Sequence, residues 1–290
     1  MTGGNIMHDI HLVALDLDGT LFDNNSRISP RNLATIKKIS NMGVHVVIST
    51  GRPFGGLPFE QLHGTGIEYA ITANGSAIYE IATEKCLFEE SMDEDTLFPI
   101  LDFLLKKDIH MDAFIGGKGY SPIQCIQAGQ KLTVPASIKH YITNTRTRVD
   151  NLPQFIHDNQ LKVQKMTLNF FPDEKGVLKD RDSVREFLES NASITCVCGG
   201  YNNLEFTRAG VSKGTALHRL AALLDIEPSA TMAIGDSEND LAILEAAGIG
   251  VAMDNAAPVV RKHADYITAS NTADGVAAAI EHFIPAVLKS

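Results

Sequence analysis

The sequence lacks the features that would indicate a membrane span, a zinc site or a disulfide framework. No apolar run approaches the ~18–20 residues that a membrane-spanning helix requires. Only four cysteines occur, and Cys196 and Cys198 form a C-x-C pair, not the C-x-x-C pair of a zinc ribbon or a redox site. The ten histidines form no H-E-x-x-H or H-x-H cluster. We therefore expect a protein of a reducing, cytoplasmic compartment.

Positive charge is also scarce. Lysine and arginine total 25 against 35 aspartates and glutamates, which gives a net charge of −10. An acidic surface repels nucleic-acid phosphates and anionic lipids, so we expect neither nucleic acid nor a membrane as a partner. A local cationic pocket for a small anion is compatible with this charge. With 290 residues, of which 44% are hydrophobic, the chain is long enough for two domains with sizeable cores.

The first part of the chain has the pattern of a strand–helix–strand unit. The apolar run at residues 11–17 predicts a buried strand that ends in acidic residues. Ser29 and Pro30 are typical of a helix start, and Gly43 is typical of the residue that follows a helix end. Residues 44–49 form a second apolar run. Strand, helix and strand in this order favour a parallel sheet with right-handed crossovers.

The same alternation returns near the C-terminus, whereas the middle of the chain differs. After a third strand at residues 69–72, the later pattern predicts a helix from Lys213, strands at residues 231–234, 249–251 and 266–268, and helices at residues 239–247 and 273–288. The middle mixes helical stretches with alternating strand-like ones such as residues 163–171. We predict an α/β fold: a Rossmann-like doubly wound parallel sheet core at residues 1–82 and 207–290, with an inserted α+β cap domain at residues 83–206.

Polar residues follow the predicted strands at the sheet edge where open α/β sheets bind ligands. The candidates at this edge are Asp16, Asp18, Thr50, Gly51, Arg52, Lys213, Asp236, Asn239 and Asp240. Crowded carboxylates repel one another, and a hard cation such as Mg²⁺ resolves that repulsion with oxygen ligands. Lys213, Thr50 and the exposed N–H groups after it would complement a phosphate. Together these groups suggest phosphoryl transfer.

Other motifs that these residues could form fail on spacing. An EF-hand loop that began at Asp16 would need Asp or Asn where the chain has Thr20, and Gly where it has Leu21. The segment that begins at Gly235 lacks the closing glycine of a serine-hydrolase elbow. No G-x-x-x-x-G-K-[ST] phosphate loop occurs.

Four motifs, in order, resemble those of the haloacid dehalogenase superfamily. The first is Asp16-Leu17-Asp18-Gly19-Thr20, and the others are at Thr50, at Lys213 and at Gly235-Asp236-Ser237-Glu238-Asn239-Asp240. The set is most similar to the Cof-type branch of cytoplasmic phosphatases, class IIB with a large C2 cap. The matches to that branch are Thr50-Gly51-Arg52, Asn74-Gly75, Ser212-Lys213-Gly214 and Gly235 to Asp240. The resemblance covers essentially the whole chain.

The resemblance implies a role for each matched residue. Asp16 would be the nucleophile that forms an aspartyl-phosphate. Asp18 would be the general acid/base, and its backbone carbonyl would touch the metal. Asp236 would bind Mg²⁺ directly together with Asp16, while Asp240 would support the metal directly or through water. The phosphoryl oxygens would be held by Thr50, the Gly51 amide, Lys213 and Asn239.

Two residues of these motifs keep both a functional and a structural interpretation. Arg52 can act on the substrate or simply pair with a carboxylate. Asn74 can contact the site or simply adopt the left-handed turn before Gly75.

We therefore expect a Mg²⁺-dependent phosphatase that acts on small phosphomonoesters, such as sugar phosphates or related metabolites, through an aspartyl-phosphate. A phosphomutase on the same core, which returns the phosphoryl group to a second hydroxyl, is the nearest alternative. A phospho-acceptor signalling module also places acidic residues, a threonine and a lysine at strand ends, but such modules are usually shorter single domains.

Overall fold

The computed structural model describes residues 9–288, which form two β-sheets and their surrounding helices. The strands in these residues are β1 Leu12–Leu15, β2 His45–Ser49, β3 Ile67–Thr72, β4 Ala77–Glu80, β5 Lys85–Glu89, β6 Ile109–Ile115, β7 Lys118–Pro122, β8 Thr147–Val149, β9 Lys165–Phe170, β10 Ile194–Val197, β11 Leu204–Arg208, β12 Thr231–Gly235, β13 Ile249–Ala252 and β14 Tyr266–Ile267. The helices are α1 Pro30–Asn41, α2 Phe59–Leu62, α3 Glu94–Leu104, α4 Ile123–Ala128, α5 Ala136–Asn144, α6 Leu152–Asp158, α7 Arg181–Glu189, α8 Lys213–Leu223, α9 Leu241–Ala246, α10 Pro258–His263 and α11 Gly275–Phe283. None of these helices is long and apolar enough to cross a membrane.

The larger sheet confirms the predicted α/β core. Its strand order is β14-β13-β12-β1-β2-β3-β4-β5, and the pairs from β14 to β3 are parallel. Strand β1 lies at the centre, where Leu12 is opposite Thr231 on one side and His45 on the other. Helix α1 packs with α11 and α8 packs with α9, and both pairs contact strands of this sheet. The sheet therefore gathers the carboxyl ends of its parallel strands at one edge.

The first predicted helix shows how local sequence fixes these elements. The Ser29 hydroxyl accepts a hydrogen bond from the Asn32 backbone N–H at 3.1 Å, and Pro30 is the first helical residue. After the last turn, Gly43 has a φ of +88°, a conformation that favours glycine. The caps predicted from the sequence are thus confirmed, and they set the position of the following strand β2.

The smaller sheet has the strand order β10-β11-β9-β6-β7-β8 and is antiparallel except for the pair β7 and β8. We call this sheet, with helices α3 to α7, the cap. It has its own hydrophobic cluster, separate from that of the larger sheet, which we call the core. Two hydrophobic clusters are what two domains require.

Strand pairing differs from the predicted domain boundaries at residues 83 and 206. Strand β5 pairs with β4 and so belongs to the core sheet, although the prediction placed it in the cap. Strand β11 pairs with β9 in the cap and continues to Arg208. The sequence of β5 did not indicate a strand of the core, because only Phe88 in that strand is even partly buried. We propose the same two domains with crossings near residues 90 and 209; residues 1–8 of the predicted core lie outside the described residues.

Candidate active site

The predicted site residues meet at the carboxyl-terminal edge of the core sheet. Asp16 follows β1, Thr50 follows β2 and Asp236 follows β12, while Lys213 is the first residue of α8. The Ser212 hydroxyl caps that helix by accepting from the Thr215 backbone N–H at 3.1 Å. The helix start is therefore fixed, and with it the position from which Lys213 enters the site.

Three carboxylates and one ammonium form the centre of the site. Asp16, Asp236 and Asp240 each offer an oxygen atom, and these atoms lie within 4.8 Å of one another. Lys213 Nζ donates to Asp16 Oδ1 at 2.7 Å and to Asp240 Oδ1 at 2.6 Å. The Lys213 side chain is fully buried, so these two carboxylates compensate a charge that water cannot reach.

Burial and mutual repulsion alter protonation in this cluster. Burial raises the pKa of Asp16 well above its ordinary value, and Asp240 raises it further, although Lys213 opposes both effects. Burial and Asp240 also raise the pKa of Asp236, to about 7. Burial lowers the pKa of Lys213, but Asp16 and Asp240 more than offset this, so that pKa is raised overall. The cluster holds more negative charge than one ammonium balances, and a divalent cation would relieve the excess.

The donor set fits Mg²⁺, which prefers oxygen ligands and binds through few carboxylates. Both oxygens of Asp240 are already used: Oδ1 accepts from the ammonium, and Oδ2 accepts from the backbone N–H groups of Asp236 and Ser237 at 3.0 Å each. Asp16 Oδ2, in contrast, accepts no hydrogen bond from the described residues. Asp16 and Asp236 are therefore better placed to bind a cation directly than Asp240, which holds the loop and the lysine.

The loop after β1 approaches Asp236 closely. The Thr20 hydroxyl donates to Asp236 Oδ1 at 2.9 Å. Gly19 has a φ of +92°, and a Cβ there would lie only 2.5 Å from Asp236 Oδ2. Both the backbone conformation and the space require glycine at this position. This explains physically why a glycine follows the acidic pair of the first motif.

Asp18 lies apart from the three-carboxylate cluster and forms an ion pair with Arg52. Arg52 Nε donates to Asp18 Oδ2 at 2.7 Å and Nη2 donates to Oδ1 at 2.6 Å. Of the two interpretations that the sequence left open for Arg52, pairing with a carboxylate is therefore observed. The partner is the residue predicted to be the general acid/base.

Thr50 and Gly51 leave hydrogen-bond donors available. The Thr50 hydroxyl oxygen accepts from the Arg52 backbone N–H at 3.1 Å, and the hydroxyl donates to none of the described residues. The Gly51 N–H donates to none of the described residues. A Cβ at Gly51 would lie 2.9 Å from Asn74 Oδ1 and 3.2 Å from Lys165 Nζ, so the loop is packed too tightly for a side chain. These two donors suit an anion.

Asn74 and Asn239 form a buried amide pair beside that loop. Asn74 adopts the left-handed turn that was one of its two interpretations, with a φ of +57°. Its Nδ2 donates to Glu205 Oε2 at 2.6 Å, and its Oδ1 accepts from Asn239 Nδ2 at 3.2 Å. Because the Glu205 carboxylate accepts, this chain fixes the orientation of both amides. Asn239 keeps one amide hydrogen free, and its buried Oδ1 has no hydrogen-bond partner among the described residues.

A cavity of about 120 Å³ lies above these groups, between the core and the cap. The core contributes Asp16, Asp18, Thr50, Gly51, Arg52, Ser237 and Asn239 to its lining. The cap contributes an apolar side, which includes Phe114, Val134, Ile138, Tyr141 and Ile142, and a polar side, which includes Arg146, Lys165, Thr167, Asn169, Asn203 and Glu205. The cavity can therefore hold a small molecule with both apolar and polar parts.

The cap residues of this cavity are the part of the site that the sequence motifs missed. The sequence of β9 has a regular pattern that bears on this side of the cavity: Lys165, Thr167 and Asn169 alternate with Met166, Leu168 and Phe170. The apolar set packs into the cap cluster, whereas the polar set lines the cavity although it is equally buried. Alternate polar residues in a strand normally indicate a solvent-exposed face, which is why the pattern did not indicate a site.

Comparisons with known proteins agree with this architecture. Residues 13–280 match the family of haloacid dehalogenase-like hydrolases. Phosphatase YwpJ of Bacillus subtilis (strain 168) is 30% identical over 291 residues, which cover 94% of this chain and 99% of that protein. The 5-amino-6-(5-phospho-D-ribitylamino)uracil phosphatase YcsE of the same organism is 30% identical over 278 residues, 95% of this chain and 96% of that protein.

The structural comparison gives the same result. The structure of a haloacid dehalogenase-like hydrolase from B. subtilis superposes with a TM-score of 0.82 at 27% identity, and the match covers 94% of this chain and 99% of that one. The family match extends over most of the chain, through core and cap alike, and confirms the resemblance seen in the four motifs. The chain belongs to the haloacid dehalogenase-like hydrolases, in their Cof-type branch.

Proposed function

We propose that this chain is a Mg²⁺-dependent phosphatase that hydrolyses small phosphomonoesters, such as sugar phosphates or related metabolites, through an aspartyl-phosphate. Its relatives are named phosphatases, and the chain is accordingly a hydrolase of phosphoric monoesters. One observation carries the finer proposal. Asp16, Asp236 and Asp240 lie close together, Lys213 bonds to Asp16 and Asp240, and Asp16 also lines the cavity.

Asp16 is the proposed nucleophile. Lys213 occupies only Oδ1, and this hydrogen bond fixes the carboxylate while Oδ2 has no partner among the described residues. A carboxylate is a weak nucleophile. Its fixed position relative to the phosphorus must therefore supply much of the rate enhancement. The buried Lys213 holds that position.

Asp16 and Asp236 would hold Mg²⁺, with the backbone carbonyl of Asp18 as a further oxygen ligand and Asp240 in support. When bound, the cation offsets the carboxylate charge that Lys213 leaves unbalanced and the negative charge of the phosphoryl group. Asp240 acts in this scheme through Lys213 and through the two backbone N–H groups that it accepts.

Four donors would hold the phosphoryl oxygens: the Thr50 hydroxyl, the Gly51 N–H, Lys213 and the free amide hydrogen of Asn239. The geometry supports this set because the Thr50, Gly51 and Asn239 donors have no other partner among the described residues. Donors that the fold already holds in place need little reorganisation when charge develops on the phosphoryl group.

Asp18 would be the general acid that protonates the leaving alcohol and the general base that then activates water. The leaving group would lie in the cavity under the cap, where an apolar side faces a polar side. The name of the relative YcsE describes a substrate with hydroxyls and a heterocycle. A metabolite with similar mixed character fits this cavity and guides the choice of substrates for a test.

The test is phosphate release from a panel of phosphomonoesters, with Mg²⁺ and with EDTA. We expect metal-dependent release, and we expect Asp16→Asn, which keeps the shape of the side chain, to lose about three orders of magnitude or more. The matched control is Asp102→Asn, because Asp102 lies exposed on α3 and should leave the rate unchanged.

Two results would contradict the proposal. Absence of phosphate release by folded wild type across the panel would exclude a general phosphatase. Isomerisation of a substrate without free phosphate would show that the phosphoryl group returns to a second hydroxyl, which is the phosphomutase alternative.

A further inference from the structure

Arg52 has no part in the steps above, yet its side chain is fully engaged beside them. Nε donates to Asp18 Oδ2 at 2.7 Å, and Nη2 donates to Asp18 Oδ1 at 2.6 Å. Nη1 donates to the Gly56 carbonyl at 3.2 Å. Only 13% of the Arg52 side chain is exposed. A planar guanidinium that bonds both oxygens fixes the plane of a carboxylate as well as its position.

An aromatic ring of the cap packs against the Arg52 guanidinium. The Arg52 Cζ atom lies 4.6 Å from the centre of the Tyr141 ring, which belongs to α5, and 5.4 Å from the centre of the Phe22 ring, which belongs to the core. The buried Tyr141 hydroxyl has no hydrogen-bond partner among the described residues. The ring of Tyr141, not its hydroxyl, therefore makes the contact that matters to Arg52.

Gly56 lies against both Arg52 and Tyr141 on the core side. Its carbonyl accepts from Arg52, and a Cβ at this position would lie 2.3 Å from the Tyr141 hydroxyl oxygen. The absence of a side chain at residue 56 thus leaves room for the Tyr141 hydroxyl beside the arginine.

We propose that Arg52 is a positioning residue through which Tyr141 of the cap orients the Asp18 carboxyl group toward the leaving group. This inference rests on the proposed role of Asp18 as general acid/base. In the first step an Asp16 oxygen bonds to phosphorus, the bond from phosphorus to the alcohol oxygen breaks, and the Asp18 proton moves to that oxygen. In the second step Asp18 takes a proton from the water that attacks phosphorus, and inorganic phosphate leaves Asp16.

Arg52 fits both steps. Because Arg52 bonds both oxygens of Asp18, it would fix the direction in which either oxygen faces, whether that oxygen gives a proton or takes one. If Tyr141 is removed, Arg52 keeps its hydrogen bonds to Asp18 and Gly56 but loses the nearer of its two ring contacts, so we expect the direction of the Asp18 oxygens to be less firmly fixed.

The leaving group separates this role from a merely structural one. An alkoxide needs a proton to leave, whereas 4-nitrophenolate leaves without one. The measurement is therefore the ratio of kcat for an alkyl phosphate from the active panel to kcat for 4-nitrophenyl phosphate. We expect Arg52→Ala and Tyr141→Leu each to lower this ratio about tenfold or more, because general acid catalysis contributes about 10²–10⁴ to rates.

Matched variants test whether Tyr141 acts on the kcat ratio through its ring and through Arg52. Tyr141→Phe keeps the ring and should keep the wild-type ratio, in contrast to Tyr141→Leu. The double variant Arg52→Ala/Tyr141→Leu should have the ratio of Arg52→Ala alone, because Tyr141 then has nothing to act through. This cycle also separates Arg52 from Arg146, whose Cζ lies 4.6 Å from the centre of the same Tyr141 ring.

A variant in the core supplies an independent test if Arg52→Ala fails to fold. Gly56→Ala should displace the Tyr141 hydroxyl and lower the ratio, and Gly56→Ala/Tyr141→Phe should restore it in large part. Equal loss for both substrates in Tyr141→Leu, or an additive double variant, would overturn the inference while phosphatase activity of the wild type stands. Failure of the wild type to release phosphate from any substrate would instead overturn the proposed function.

Discussion

At the scale of single residues, the charge of the site is not balanced by the protein alone. Lys213 contacts Asp16 and Asp240, but among the described residues no lysine, arginine or histidine forms an ion pair with Asp236. Asp236 has only hydroxyl donors, from Thr20 and Ser237, at its two oxygens. Burial then favours its neutral form, which raises its pKa to about 7.

This raised pKa predicts how metal-free protein responds to pH. The folded protein holds a proton on Asp236 that the unfolded chain releases, so the free energy of unfolding falls as pH rises from the ordinary value of 3.8 to about 7. In EDTA the melting temperature should therefore decrease over this range, and Mg²⁺ should reverse the decrease because it stabilises the carboxylate. Thermal unfolding with and without metal measures both effects.

The control for this prediction is Asp236→Asn. It removes the titrating group, so the melting temperature of the metal-free variant should change less with pH than that of wild type, and Mg²⁺ should raise it less. Identical pH slopes for the two proteins would show that Asp236 does not carry the effect.

Residues that carry a motif could be predicted from the sequence, and residues of the cap could not. Asp16, Asp236 and Lys213 meet because parallel strands end at one edge, which is a general property of such sheets. Tyr141 and Arg146 enter the same cavity only through the fold of the cap, and no local pattern encodes that contact. Arg52 is intermediate: the motif predicted its place, and only the structure supplied its partner.

At the scale of elements, the packing of α8 on α9 sets the distance from Lys213 to Asp240. A Cβ at Gly214 would lie 2.1 Å from the Ala242 carbonyl oxygen and 3.1 Å from the Ala246 Cβ, so the helices touch at backbone distance. Lys213 precedes this contact and Asp240 immediately precedes α9. The close approach of the two helices therefore brings the ammonium to its carboxylate.

We predict that Gly214→Ala will separate these helices and weaken the site. Overpacking of this kind costs about 1–3 kcal/mol, and phosphatase activity should fall by more than the loss of folded protein explains. Urea unfolding and kcat of the same preparation measure the two effects. The control is Ala222→Ser, which adds one atom on the exposed side of the same helix. Equal activity of the two variants would show that the contact does not position Lys213.

Strong local signals predicted elements well, and weak ones did not. Strand β1 is buried along its whole length and α1 has clear caps, so both could be recognised. The helix predicted at residues 239–247 begins instead as a 3₁₀ turn at Glu238–Asp240, where the Asp240 side chain bonds back to the backbone. The helix predicted to reach residue 288 ends at Phe283, because Pro285 cannot continue the hydrogen-bond pattern.

At the scale of the whole molecule, a buried ion pair of the cap contacts Asn74 of the core. Lys165 Nζ lies 2.7 Å from Glu205 Oε1, and their side chains are 1% and 8% exposed. Glu205 also accepts from Asn74 of the core. Burial lowers the pKa of Lys165, although Glu205 favours its charged form. The pair therefore links the two domains at the cost of two buried charges.

We predict that Glu205→Gln will be more harmful than the loss of both charges. The single variant leaves Lys165 buried without a counter-charge, and removal of one partner from a buried pair costs about 3–5 kcal/mol. The double variant Lys165→Met/Glu205→Gln removes the unpaired charge and should recover part of the free energy of unfolding. Activity should behave differently, because Lys165 Nζ lies close to Gly51 and both charges line the cavity. We expect KM to remain raised in the double variant even where stability returns.

Urea unfolding and steady-state kinetics of the two variants separate these effects, with Glu60→Gln on the exposed part of α2 as the control. A surface change of that kind should alter the free energy of unfolding by no more than about 0.5 kcal/mol. If the double variant were no more stable than Glu205→Gln, the cost would come from lost packing and not from an unpaired ammonium. If KM returned together with stability, the pair would serve the fold alone, and substrate recognition under the cap would depend on the other polar residues of β9.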